Sequence, residues 1–483
     1  MAPKPEPDLT MQPLELNSYS LGRKIESANR LTVKNPYNGS VVGTVTLADH
    51  AQTQATIAGM LAGGVALTRF QRSEILDTAR RLLEARREEF SRLMTSEAGL
   101  CLRETTYEVG RALDVLRFAA MEALRDDGQI FSGDISPQGK SRKIFTVREP
   151  LPLIAAITPF NHPLNQVAHK VAPAIAAGTP MILKPSEKTP LTAIRFAELL
   201  YEAGLPGTML SVLLGPTEGV AQPLVQDPRI ELITFTGSVA VGKRIASTAG
   251  YKRVVLELGG NDPMIILEDA NLDLAVTLAA EGSFRNSGQR CTAVKRILVH
   301  QAVLEEFTKR FVAKAAEYTS GDPMDPETRV GTVIDEASAL QLERVVKAAV
   351  AAGARILLGG NRSGARLVPT VIDNVPRDSE MVVCESFGPL APIIPVRDLD
   401  DALALANSTA YGLSSGVVTD SLSSAMKAIK TLRCGMVNIN EVPGYRLENS
   451  PFGGVKDSGL GIKEGIIEAM KYMTTVKTFS LPW

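Results

Sequence analysis

Cysteine is scarce in this chain: 483 residues carry only four, Cys101, Cys291, Cys384 and Cys434. None lies near another in sequence, which excludes a disulfide framework or a cysteine-based zinc ligand set and fits a reducing compartment. No metal site is expected. Long apolar runs are missing too. No segment reaches the roughly 18 uninterrupted apolar residues that span a bilayer, and residues 1–14 are proline-rich and acidic, without the apolar core of a signal peptide. These absences point to the cytoplasm. The chain also lacks an excess of charge of either sign. Its formal net charge of -1 gives no general pull toward nucleic acid or an anionic membrane, so neither is expected as a partner. There are no internal repeats or low-complexity tracts, and no Gly-x-Gly-x-x-Gly loop follows a predicted strand.

What is present describes a globular protein, with 45% hydrophobic and 22% charged residues and a length that implies two or three domains. Segments 31–39 and 40–45 read as short strands around an Asn38-Gly39 turn. Apolar spacing of three and four, as in Val109, Leu113, Leu116 and Ala120, predicts long amphipathic helices over 66–98 and 104–125. Residues 130–148 place Gly, Pro and Ser between polar alternating runs, which suits a protruding hairpin serving as an oligomer arm. From 151 the rhythm becomes strand, loop, helix, and it resumes beyond Cys291; both stretches predict a parallel sheet covered by helices. Residues 472–483 alternate as a terminal strand that could pair with the hairpin.

Two segments carry chemistry. Phe284-Arg285-Asn286-Ser287-Gly288-Gln289-Arg290-Cys291-Thr292 sets one thiol in a small, polar, cationic context that favours the nucleophilic thiolate. Upstream, Leu256-Glu257-Leu258-Gly259-Gly260-Asn261 offers a carboxylate on a glycine turn after an apolar run. A nucleophile and a base are therefore in view.

These segments occur in order with Thr158-Pro159-Phe160-Asn161, Leu183-Lys184-Pro185-Ser186-Glu187, Phe235-Thr236-Gly237-Ser238, Glu385-Ser386-Phe387-Gly388-Pro389 and Pro451-Phe452-Gly453-Gly454. From about Asn35 onward the chain resembles the aldehyde dehydrogenase superfamily. The resemblance implies an α/β fold of two Rossmann-type domains with a small β oligomerisation arm. Residues 1–127 and 149–257 would bind NAD, 258–462 would form the catalytic domain, and 128–148 with 463–483 the arm. Cys291 would attack the aldehyde, the Asn161 amide and the Cys291 N–H would hold the oxyanion, and Glu257 would activate the water that hydrolyses the thioester. Pro159, Phe160, Lys184, Ser186, Glu187, Gly215, Gly219, Phe235, Gly237, Ser238, Leu258, Gly259, Glu385 and Phe387 would line the cofactor. The turn at Gly237 opens a helix whose N–H groups suit a pyrophosphate. The Glu187 carboxylate accepts from ribose hydroxyls and repels a 2′-phosphate, which predicts NAD over NADP.

For the substrate, Arg111, Arg290 and Arg446 with His162 and Thr292 suggest a site for an anionic tail, since arginine can make two parallel bonds to an oxyanion. Plainer roles exist: Arg111 pairing with Glu108, or Arg446 with Glu448. The resemblance is strongest to the branch that oxidises phosphonoacetaldehyde to phosphonoacetate. Glyceraldehyde 3-phosphate, succinate semialdehyde, acyl transfer to coenzyme A, and a non-catalytic binding or structural role remain open. A homodimer or homotetramer is expected from the exposed edges of the arm.

Overall fold

A computed structural model describes residues 12–64 and 66–483. Of the proline-rich, acidic start, residues 1–11 lie outside the described residues, and Leu14–Leu16 is a strand that pairs in parallel with Val41–Thr46. The predicted Asn-Gly hairpin is present, with Arg30–Lys34 antiparallel to Val41–Thr46. The segment expected as one helix over 66–98 is two, Arg69–Ala85 and Arg87–Ala98. It begins late because Thr68 and Gln71 form a reciprocal capping box that fixes the first turn. It breaks at Arg86, whose ψ of 21° leaves the helical range. No helix among the described residues is long and apolar enough to cross a membrane.

Two seven-stranded sheets organise the molecule. In the first, the parallel strands run in the spatial order Arg253–Glu257, Leu232–Thr236, Ile154–Ile157, Met181–Lys184 and Leu210–Val212, extended by the antiparallel edge pieces Tyr19–Ser20 and Arg23–Lys24. The strands Ile154–Ile157, Met181–Lys184 and Leu232–Thr236 are almost wholly buried, as parallel strands covered by helices on both faces must be. Chain order reverses between Ile154–Ile157 and Leu232–Thr236, and such a switch point leaves a crevice beyond the strand C-termini where ligands bind. Thr158-Pro159-Phe160-Asn161 and Gly237-Ser238 leave the sheet there.

The second sheet runs Thr370–Asp373, Leu390–Val396, Val294–His300, Asp262–Ile266, Ser414–Val418 and Met436–Ile439, all parallel, with Arg355–Leu358 antiparallel at one edge. A third sheet is the arm. Thr474–Pro482 pairs antiparallel along the whole of Arg142–Pro150, and Ile130–Ser132 pairs on the other side.

Candidate active site

An unusual turn precedes Cys291, the nucleophile expected from the sequence. Helix Leu272–Phe284 gives way to Asn286 (φ 56°), Ser287 (φ 53°) and Gly288 (φ 68°), three successive left-handed residues. The two that are not glycine cost on the order of 1–3 kcal/mol each unless their surroundings hold them. Their surroundings do hold them. Asn286 Nδ2 donates to the Asn161 carbonyl at 2.9 Å, and Asn161 Nδ2 donates to the Gln289 carbonyl at 2.8 Å. Gln289 Oε1 accepts from the Ile334 N–H at 2.8 Å. A Cβ at Gly288 would come within 2.2 Å of the Gly388 carbonyl oxygen, so that approach requires glycine. Cys291 follows this turn just before strand Val294–His300. Buried Lys295 donates to the carbonyls of both Arg290 and Cys291 at 2.7 Å. The loop carrying Glu257 reaches the same place, because a Cβ on Gly260 would lie 2.4 Å from the Cys291 carbonyl oxygen.

Electrostatics overturn one expectation. The cationic neighbourhood was expected to favour a thiolate, yet burial pushes the Cys291 thiol up to about 12, with Lys295 opposing it only in part. The resting thiol is therefore neutral and needs a base. Glu257 is buried, and neither of its carboxyl oxygens has a partner. Burial first and then the Glu464 carboxylate raise it well above the usual carboxylate range, against Lys170 and Arg446. Burial pushes Glu464 the same way, but Lys170, bonded at 2.9 Å, with Arg446 and His169 holds it below that range. Two neighbouring carboxyls with pKa values driven apart are suited to separate acid and base roles. Asn161 uses one amide hydrogen on Gln289, which leaves the second for an oxyanion.

The nucleotide side shows a set of groups that fits a pyridine dinucleotide. Ser238 caps helix Val239–Thr248 through its Oγ, and the start of that helix is exposed beside the switch point, where free N–H groups suit a pyrophosphate. Gly237 N–H donates to the Glu257 carbonyl at 3.0 Å, and Gly237 tucks against the Phe235 ring, tying this turn to the Glu257 strand end. Leu258 is buried against Gly242 of the same helix. Lys184, buried at the end of its strand, donates to Glu187 Oε1 at 2.5 Å, while Glu187 and the neighbouring Ser186 stay accessible for ribose hydroxyls. Gly215 and Gly219 are buried instead, and a Cβ at Gly215 would meet the Ala48 carbonyl oxygen at 2.3 Å. Glu385 Oε1 accepts from the Gly260 N–H at 3.1 Å and lies 3.3 Å from Lys295 Nζ, and its other oxygen fills the space a Gly259 side chain would need. Phe387, at φ 53°, meets Phe160 edge-on at 5.9 Å beside Pro159.

The four candidate anion-binding groups are placed differently from one another. Arg111 does not pair with Glu108. It donates through Nε and Nη2 to Glu448 at 2.5 and 3.3 Å. Glu108 is buried, accepts from the Leu164 and Asn165 N–H groups at 2.8 and 2.9 Å, and lies 3.1 Å from His162 Nδ1. Arg446 does not pair with Glu448 either. Its guanidinium stacks 3.9 Å over Phe452 and keeps Nη1 buried without a partner. Its positive field acts on both Cys291 and Glu257. Arg290 turns one edge away, with Nη2 on the Glu281 and Gly282 carbonyls at 2.9 and 2.6 Å and Nε unpartnered. Burial lowers it to about 10, so it stays charged. Thr292 packs beside Gly444, where a Cβ would come within 2.4 Å of its hydroxyl. The pattern of motifs did not bring out Lys295, Glu448, His169, Lys170 or Glu464. A signal for several existed: His169-Lys170 and Lys295 interrupt otherwise apolar buried elements, and a buried charge requires a partner.

Comparison with known proteins identifies the family. The model of the aldehyde dehydrogenase family matches residues 24–479. A 3-sulfolactaldehyde dehydrogenase of Priestia aryabhattai is 38% identical over 94% of this chain and 96% of its own length. The crystal structure of aldehyde dehydrogenase 21 from Physcomitrella patens, in complex with the reaction product succinate, is 35% identical and superposes with a TM-score of 0.94 over 98% of this chain and 99% of its own. An NADP-dependent glyceraldehyde-3-phosphate dehydrogenase from Bacillus halodurans C-125, complexed with NADP, is 34% identical with a TM-score of 0.94 over 97% and 99%. Matched across nearly its whole length in sequence and fold, the chain belongs to the aldehyde dehydrogenase family and is an aldehyde-oxidising enzyme that uses a pyridine nucleotide.

Proposed function

We propose that the enzyme oxidises a short anionic aldehyde to its acid, with phosphonoacetaldehyde and a sulfonated short aldehyde as the two candidates. One observation carries this reading: the buried Nη1 of Arg446 has no protein partner, and its guanidinium, fixed on Phe452, acts on both Cys291 and Glu257. A buried unpaired donor costs stability, and an anionic substrate would satisfy it. The phosphonate follows from the sequence resemblance, and the sulfonate from the charge around Arg111 together with the similarity to a sulfolactaldehyde dehydrogenase. Arg111→Ala and Arg446→Ala should each lower kcat/KM for the anionic aldehyde by about 1.5–3 kcal/mol, with far less effect on a neutral aldehyde of the same length. Equal losses on both substrates would sink the reading.

In this reading Cys291 loses its proton to water in the site, and the thiolate sulfur adds to the aldehyde carbon. The free amide hydrogen of Asn161 and the Cys291 N–H stabilise the oxyanion. A nicotinamide held beside Glu385 and Phe387 would supply the hydride acceptor, and loss of the hydride from the adduct leaves a thioester on Cys291. Glu257 then withdraws a proton from water, the hydroxide attacks the thioester, and the acid departs as the thiol is restored. Retention of Glu257 supports hydrolysis over transfer to a thiol acceptor such as coenzyme A. Glu187 supports NAD over NADP, since its carboxylate opposes a 2′-phosphate, while its Lys184 partner reduces that opposition.

A further inference from the structure

Glu448 is the carboxylate bonded into the group of cations near Cys291, and it is buried. It grips only the Nε and Nη2 edge of Arg111, at 2.5 and 3.3 Å, and among the described residues Arg111 Nη1 has no partner. Its second oxygen binds Nε2 of His169, a side chain only 1% exposed whose Nδ1 is unpartnered. Burial lowers His169 against the pull of the Glu448 carboxylate it contacts. Burial alone would raise Glu448, but His169, Arg111 and Arg446 together hold it below the usual carboxylate range. Arg111 and Glu448 therefore sum to zero charge. Arg290 rests on carbonyls at the end of helix Leu272–Phe284, where the negative end of the helix offsets part of its charge. Arg446 remains as the guanidinium with no carboxylate bonded to it among the described residues.

We propose that Glu448 is a positioning residue that sets the charge class of the substrate: it fixes Arg111 with one edge free while cancelling its charge, so the site takes a monoanionic aldehyde, sulfonate or carboxylate, ahead of a dianionic phosphonate or phosphate. This rests on the anionic-aldehyde reading. The second negative charge of a dianion would meet Glu448 across a low-dielectric pocket, where one unit of charge shifts affinity by about tenfold or more. The test compares kcat/KM for sulfoacetaldehyde, phosphonoacetaldehyde and propanal at a pH where the phosphonate is fully ionised. Wild type should favour the sulfonate over the phosphonate. Glu448→Gln should shift that ratio toward the phosphonate by about tenfold or more, and Glu448→Asp, which keeps the charge, should move it back. Should Glu448→Gln fold poorly, the wild-type preference and the Glu448→Asp ratio still decide. A wild type that prefers the dianion, or a ratio that ignores the Gln substitution while both anions beat propanal, overturns the role of Glu448 and leaves the anionic-aldehyde reading intact. Propanal outrunning both anions overturns that reading and this inference with it.

Discussion

At the scale of single residues, burial disfavours the charged forms of both Cys291 and Glu257. Burial pushes the Cys291 thiol up to about 12 and Glu257 well above the usual carboxylate range, so a Glu257 base gains its charge as pH rises. Turnover should climb with pH on that limb. Glu257→Gln should remove the limb and slow steady-state turnover by about 10²–10⁴-fold, while an initial burst of reduced cofactor remains as the thioester accumulates. Stopped-flow absorbance across a pH series shows both, and an unchanged limb in the variant would assign the base elsewhere. Cys291, Glu257 and Asn161 stand out in the sequence because each lies in a short, ordered motif. The state of the thiol does not, because desolvation depends on what packs over a residue, and adjacent letters such as Arg290 do not reveal where their side chains turn. Glu448 was visible only as a neighbour of Arg446, and its bond to Arg111 joins positions far apart in the chain.

Elements are held in place by buried carboxylates. Glu97 accepts from the Leu191 and Thr192 N–H groups at 2.9 and 3.0 Å and so satisfies the open start of helix Pro190–Glu202. Glu108 does the same for helix Asn165–Ala177, the helix that carries His169 and Lys170. Glu97→Ala should cost about 1–3 kcal/mol of stability by orphaning those donors, measurable by denaturant unfolding. Burial raises Glu97 to about 7 from an ordinary value of 4.5, which fixes the sign of its pH effect. Below 4.5 the carboxyl is protonated in both states and its contribution is complete; as pH rises to 7 the unfolded chain releases the proton more readily, and stability falls. Glu97→Gln should flatten that fall, and a slope unchanged between wild type and variant would contradict the assignment. Helix and strand positions were readable from apolar spacing, which burial enforces. The break at Arg86 was not, because no glycine or proline marks it.

For the whole molecule, the alternation of strands and helices was enough to expect parallel sheets, but spatial order within each sheet comes from crossovers that leave no local trace. The arm illustrates both sides. Alternation in the last residues marked a strand, and its pairing along Arg142–Pro150 joins segments from opposite ends of the chain. Ile130, Phe479 and Leu481 are exposed on one face of this small sheet, Phe131 and Val476 on the other, and Trp483 at its end, which leaves apolar surface uncovered on both faces. We propose that it is covered by a second copy of the chain. Sedimentation should show a dimer or tetramer at micromolar concentration, and removal of residues 474–483 should shift it to smaller species; a wild-type monomer would refute this.

The anionic-aldehyde account is tested most directly by kcat/KM of the wild-type enzyme with NAD on charged and neutral aldehydes of matched length. It predicts that sulfoacetaldehyde or phosphonoacetaldehyde exceeds propanal by at least about tenfold, the equivalent of roughly 1.4 kcal/mol of transition-state binding. Equal or faster oxidation of propanal would contradict it.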